Sequence, residues 1–204
     1  MNLVRSGTID PPSLIVIGAS TGGPKVLWDL FSAMPPLSAC ILIVQHFPKF
    51  INDSFVRSLS LRTQAKVRLA QHGDELAEGL VLVAPSEVHC RVVGNRHLHL
   101  ASGPDVNYVC PSIDVTMQSL CAWPNGSKLI GVLLTGMGRD GAAGLAHVKQ
   151  LGGLTIAQNE ATCAVYGMPG AAVRLGCVDF ELPPEKIAPL LVAQMRRLPV
   201  PQMS

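Results

Sequence analysis

Three apolar runs constrain this chain more than anything else in it: Leu14–Gly18, Ala39–Gln45 and Leu129–Leu134. Each is too short for a long helix and too uniformly apolar for a strand with one wet face, so each reads as a strand buried on both sides. Each is followed by a turn and then by a helical pattern, at about Pro24–Met34, Asn52–Leu61 and Gly141–Leu151. Leu154–Gln158 is a fourth buried strand, and Val178–Glu181 is a candidate last one. Strand and helix in alternation predict an α/β fold: doubly wound, with a mostly parallel sheet.

Between the second and third runs the pattern changes. Lys66–Ala70, Leu80–Ala84, Arg91–Val93 and His97–Ala101 are short β-like runs, and Gly94-Asn95 between the last two predicts a β-hairpin insertion. His97 and His99 alternate there, but no third ligand stands at a suitable spacing, so a solvated hairpin face is expected and no metal. Ser112 is expected to cap a helix running to about Trp123, Asn52 or Asp53 the helix to Leu61, and Pro184 to open a final amphipathic helix to Met195.

Composition narrows the function. Sixteen basic and 14 acidic residues give a net charge of +2 with no basic run, and aromatics are 4%, which argues against nucleic acid. No apolar stretch is long enough to span a membrane. Residues 1–12 lack the apolar segment of a signal peptide and read as a linker or disordered end. The six cysteines form no C-x-x-C pair and are expected to be reduced, in a cytoplasmic protein.

Ligands of an open parallel sheet bind outside the carboxyl ends of its strands. Three groups fall there: Ser20 after the first run, His46 after the second and Asp140 after the third. A hydroxyl, an imidazole and a carboxylate meeting on one edge suit nucleophilic acyl transfer, with histidine as base and the acid as its orienter. Each also has a plainer reading. Ser20 and Asp140 could cap helices, and His46 could be a strand-end hydrogen-bonding residue. Gly18-Ala19-Ser20-Thr21-Gly22 matches the nucleophile elbow G-x-S-x-G, but the order serine, histidine, acid differs from that of α/β-hydrolases. Gly136, Gly138 and Gly141 match G-x-G-x-x-G, with Glu160 about twenty residues on, so a dinucleotide-binding domain is the rival reading. A non-catalytic receptor-binding domain is another.

Five segments in order carry a resemblance: Gly18–Gly23, Gln45–Pro48, Pro111–Val115, Leu134–Gly144, and Ala157–Thr162 with Gly167–Pro169. Together they resemble the catalytic domain of the chemotaxis receptor protein-glutamate methylesterases. The likeness sets that domain at residues 13–197, with 198–204 a frayed end. It implies a Ser-His-Asp triad of Ser20, His46 and Asp140, with Thr21 and Met137 near the oxyanion. It implies a cytoplasmic hydrolase of glutamyl methyl esters on chemoreceptor helices, releasing methanol, in some members also deamidating glutamines, with no cofactor or metal. Family members often carry a receiver domain, which is not expected within these residues. Two segments depart from the family pattern. Tyr108-Val109-Cys110 replaces basic residues, and Gly170-Ala171 replaces a basic–acidic pair. Both changes bear on substrate choice rather than on chemistry.

Overall fold

Along strand β1 (Leu14–Ala19) the side chains alternate between two cores, which is why its sequence is apolar without a break. Leu14 and Val16 face one layer, Ile15 and Ile17 the other. The structure is a computed structural model and describes residues 11–195. The expected linker lies outside the described residues except for Pro11 and Pro12, and so does the expected frayed end.

After β1 come α1 (Gly23–Ala33), β2 (Cys40–Gln45), α2 (Asn52–Ser60), β3 (Lys66–Leu69) and β4 (Leu80–Val83). A hairpin of β5 (His89–Val93) and β6 (His97–Ala101) is followed by α3 (Ile113–Gln118). The chain then runs through β7 (Leu129–Leu133), α4 (Ala142–Gln150), β8 (Leu154–Gln158), α5 (Met168–Arg174), β9 (Phe180–Leu182) and α6 (Pro184–Met195). Seven strands form one sheet in the order β3-β4-β2-β1-β7-β8-β9, every neighbouring pair parallel. Helices α1, α2 and α6 cover one face; α3, α4, α5 and the hairpin cover the other. The doubly wound fold and its hairpin are as expected, with Gly94 and Asn95 in left-handed backbone at the hairpin turn.

Several boundaries differ from expectation, each for a local reason. A 3-10 turn at Lys49–Ile51 leads into α2, so Asn52 lies inside the helix. Its Oδ1 accepts from the Ser86 hydroxyl at 2.9 Å instead of capping. Helix α3 stops at Gln118 because Ser119 Oγ donates to Thr116 O (2.7 Å) and accepts from Val92 N (2.8 Å). The last strand starts at Phe180 because Asp179 is spent on Thr155, whose N–H it accepts at 3.0 Å.

Strand β1 connects towards β2 on one side, while β7 connects towards β8 on the other. The carboxyl ends of β1 and β7 therefore flank the switch point of the sheet, the place where this architecture opens a crevice.

Candidate active site

Backbone hydrogen bonds set the positions of Ser20 and His46. Ser20 N donates to Thr135 O at 3.0 Å, and His46 N donates to Ala19 O at 3.0 Å. Ala19 and Gln45 are register partners on β1 and β2, so Ser20 and His46 occupy the next step on neighbouring strands. Parallel strands run about 4.8 Å apart, which is the scale of the gap between these two backbones. The turn is tight: a β carbon on Gly136 would come within 2.7 Å of Ser20 Cβ and 2.3 Å of Met168 Sδ. Only glycine lets the β7 loop pass so close to the serine.

Ser20 does not cap α1. The N-cap is Gly22, and no side chain bonds to that helix end. The Ser20 hydroxyl makes no hydrogen bond among the described residues, so its link to His46 is open in this structure. Loose geometry at this step is usual before substrate binds.

The structure does bring His46 and Asp140 together, Nε2 to Oδ2, at 3.0 Å. Asp140 is 3% exposed and takes no part in capping α4, whose N-cap is Gly141. It caps α3 from outside instead. Its oxygens accept from Ile113 N (2.6 Å), Asp114 N (3.3 Å), Ser112 Oγ (2.7 Å) and Asn107 Nδ2 (2.9 Å) as well as from His46. Burial pushes its pKa up, but the His46, Ser112, Asn107 and Ile113 hydrogen bonds outweigh it and hold the carboxyl below its ordinary value. An ionised carboxylate only accepts, so Nε2 is the ring nitrogen that donates to it.

Asp114 lies beside it, also buried. Burial first, then the Asp140 charge, raise its pKa, against hydrogen bonds from Gly144 N, Asn107 and Gly141. One amide nitrogen, Asn107 Nδ2, donates to both Asp114 Oδ2 (2.8 Å) and Asp140 Oδ1 (2.9 Å). Asp114 Oδ1 accepts from Gly144 N at 2.6 Å, in the first turn of α4. A carboxylate thus already fills the helix N-terminus that the dinucleotide reading reserves for a pyrophosphate.

Thr21 and Met137 are both exposed, on the turns after β1 and β7. Neither backbone N–H donates a hydrogen bond among the described residues. Both are unengaged donors among the described residues, the kind of group an oxyanion site requires.

Sequence reasoning missed Gln45 and undervalued Asn107. Gln45 is 1% exposed, and its Nε2 donates to Ser20 O (3.0 Å) and His46 O (2.9 Å). Its Oε1 has no hydrogen-bond partner. It lies against Gly23, where a β carbon would stand 2.3 Å away. The available signal was a lone amide closing a fully apolar strand. The six cysteines are unpaired, and burial pushes the Cys90 thiol up to about 12. His97 and His99 are exposed on the hairpin, and among the described residues no cluster of three or more His, Cys, Asp or Glu could hold a metal. No helix among them is long and apolar enough to cross a membrane.

A family model described as CheB methylesterase matches residues 15–191. The chain belongs to the CheB methylesterase family. It is 42% identical over 192 residues to protein-glutamate methylesterase/protein-glutamine glutaminase 2 of Syntrophus aciditrophicus, covering 93% of this chain and 56% of that protein. It is 37% identical over 196 residues to protein-glutamate methylesterase/protein-glutamine glutaminase 1 of Burkholderia pseudomallei strain 1710b, covering 95% and 54%. The chain therefore spans about half the length of the curated relatives it matches. The crystal structure of the Thermotoga maritima CheB methylesterase catalytic domain superposes with a TM-score of 0.79 at 34% identity, covering 89% of this chain and 98% of that one. The CheB fold is thus the fold of this chain, hairpin included.

Proposed function

We propose that this CheB-family chain is a serine hydrolase of side-chain methyl esters, with residues 13–197 as its catalytic domain. The reading rests on one observation above all: an imidazole bonded to a buried, ionised carboxylate, one strand away from a serine whose hydroxyl is unengaged. His46 Nδ1 takes the Ser20 proton as Oγ attacks the ester carbonyl. The Thr21 and Met137 N–H groups hold the oxyanion. His46 returns the proton to the departing methoxide, methanol leaves, and water hydrolyses the acyl-enzyme with the same base. Asp140 keeps the ring oriented and stabilises the imidazolium. No step calls for a metal or cofactor.

The names of its relatives point to protein glutamate methyl esters as the substrate and to glutamine side chains as a second one. Family membership makes methylated chemoreceptor helices the expected partner. The test is methanol release from a methylated receptor fragment. Wild type should turn over, and Ser20→Ala should lose nearly all activity. Undiminished release by Ser20→Ala would end this reading.

A further inference from the structure

Three of the large apolar side chains exposed among the described residues sit on loops that carry site residues: Phe50 (81%), Tyr108 (97%) and Met137 (77%). Phe50 lies in the 3-10 turn four residues after His46, and Met137 stands three residues before Asp140. Tyr108 adjoins Asn107, whose amide holds Asp140.

Tyr108 is the unusual member. Val106 and Val109 exchange hydrogen bonds at 3.1 and 3.2 Å across a two-residue turn. Both central residues have positive φ, 55° at Asn107 and 65° at Tyr108. Such a turn favours Asn followed by Gly. Asn107 fits, but at the second position a bulky aromatic stands where glycine is free of strain. The Tyr108 ring itself does nothing to offset that strain, because it is almost wholly in solvent. The turn is also fixed. Asn107 ties it to two buried carboxylates, so the ring is held out at a set place beside the acid. Backbone strain held in place by its surroundings clusters at active sites and ligand clamps, where it serves function. A pre-positioned tyrosine, with few torsions to freeze, is well suited to contribute it.

We propose that Tyr108, on the turn that Asn107 ties to Asp140, contacts the apolar side chains on either side of the esterified glutamate in a helical substrate. Residues three and four positions from that glutamate share its face of the helix, so they approach the site together with the ester. The inference deepens the esterase reading and rests on it for the identity of the substrate.

The test uses two synthetic helical peptides bearing one glutamate γ-methyl ester, with leucine or serine at the flanking positions. Binding is measured in the Ser20→Ala background, so that it does not depend on turnover. Tyr108→Gly removes the ring and relieves the turn. It should raise Tm yet weaken binding of the leucine peptide about ten-fold, while Tyr108→Phe restores binding. With Ser20 intact, the ratio of kcat/KM for the leucine peptide to that for a single-residue ester should fall about ten-fold, through KM. Equal affinity in Tyr108→Gly overturns the proposal. So does an equal loss on both esters, which would route the effect through Asn107 and Asp140. Absence of turnover in wild type alongside Tyr108-dependent binding would sink the esterase reading and leave the contact standing.

Discussion

His46 Nε2 lies 3.0 Å from Asp140 Oδ2, which leaves Nδ1 as the ring nitrogen available to the proposed nucleophile. In the proposed mechanism this reverses the usual serine-hydrolase assignment, in which the acid takes Nδ1 and the hydroxyl Nε2. It follows from chain geometry, since His46 hangs from the end of β2 while the acid approaches across β1 from the β7 loop. Asp140→Asn should lower kcat by about 10⁴, because an amide can hold the wrong tautomer. It should also lower stability, since one oxygen that accepts from Ser112, Asn107 or Ile113 becomes a donor facing donors. Single-turnover kinetics and urea titration of the same variant check both.

Gln45→Met keeps the side-chain length and removes both amide donors to Ser20 O and His46 O. Ser20 O retains its bond from Gly23 N at 2.8 Å, but among the described residues His46 O is left with no donor. The expected cost is about 1–3 kcal/mol in stability. We expect kcat to fall about 10–100-fold with KM held, because misplacing the base affects the reaction step more than docking. Denaturation midpoints and steady-state kinetics read these separately.

Asn107→Gly retains the left-handed turn and deletes only the amide. Asp140 and Asp114 then face each other without the shared donor. The pKa of Asp114, already raised by burial, should rise further. A carboxyl infrared band titrating at higher pH than in wild type would report this, alongside a drop in kcat of about ten-fold or more, the scale expected when a hydrogen bond of about 1.5–3 kcal/mol to a charged group is lost.

Acid stability should depend on three carboxyls. Burial opposes ionisation at Asp140, Asp74 and Asp179, and in each case hydrogen bonds win: from His46, Arg68 and Lys149 respectively. All three lie below the ordinary 3.8 when folded and return to it when unfolded. Their stabilisation is complete above that value and is lost as pH falls through the lower folded values. Urea midpoints should therefore fall steeply below about 4, after any gain at higher pH as Asp114, whose pKa burial raises, takes up its proton. Asp74→Asn, which leaves Arg68 one neutral acceptor in place of a bidentate carboxylate, should make the fall shallower.

Gly136→Ala should act on the nucleophile without touching the triad chemically. The added methyl meets Met168 Sδ and Ser20 Cβ at 2.3 and 2.7 Å, so the serine turn or α5 must shift. Overpacking of this kind costs about 1–3 kcal/mol. Reactivity of Ser20 should fall with it, measurable as slower acylation by a small activated ester.

The strands were legible because burial on both faces leaves an unbroken apolar run, as in Cys40–Val44. The placement of Ser20, His46 and Asp140 at strand ends followed from those runs. Partnerships made across long sequence separations were not legible. Asp140 reads as the cap of its own helix, yet its oxygens serve α3, 27 residues away. Asn52 reads as a cap and is drawn inward by Ser86, 34 residues away. Gln45 looks like the polar end of a strand, and its task appears only once Ser20 lies on the neighbouring one. Local pattern carries propensity, whereas these roles depend on which chain ends the sheet order brings together.

Because the first N–H groups of α3 end on Asp140, the ionic state of that acid is coupled to the start of α3. Fraying of this short helix would release the carboxylate to water and slacken its hold on the imidazole. Whatever stiffens or loosens the Asn107 turn and the start of α3 should therefore shift the hold on Asp140, without any need to reach His46 itself.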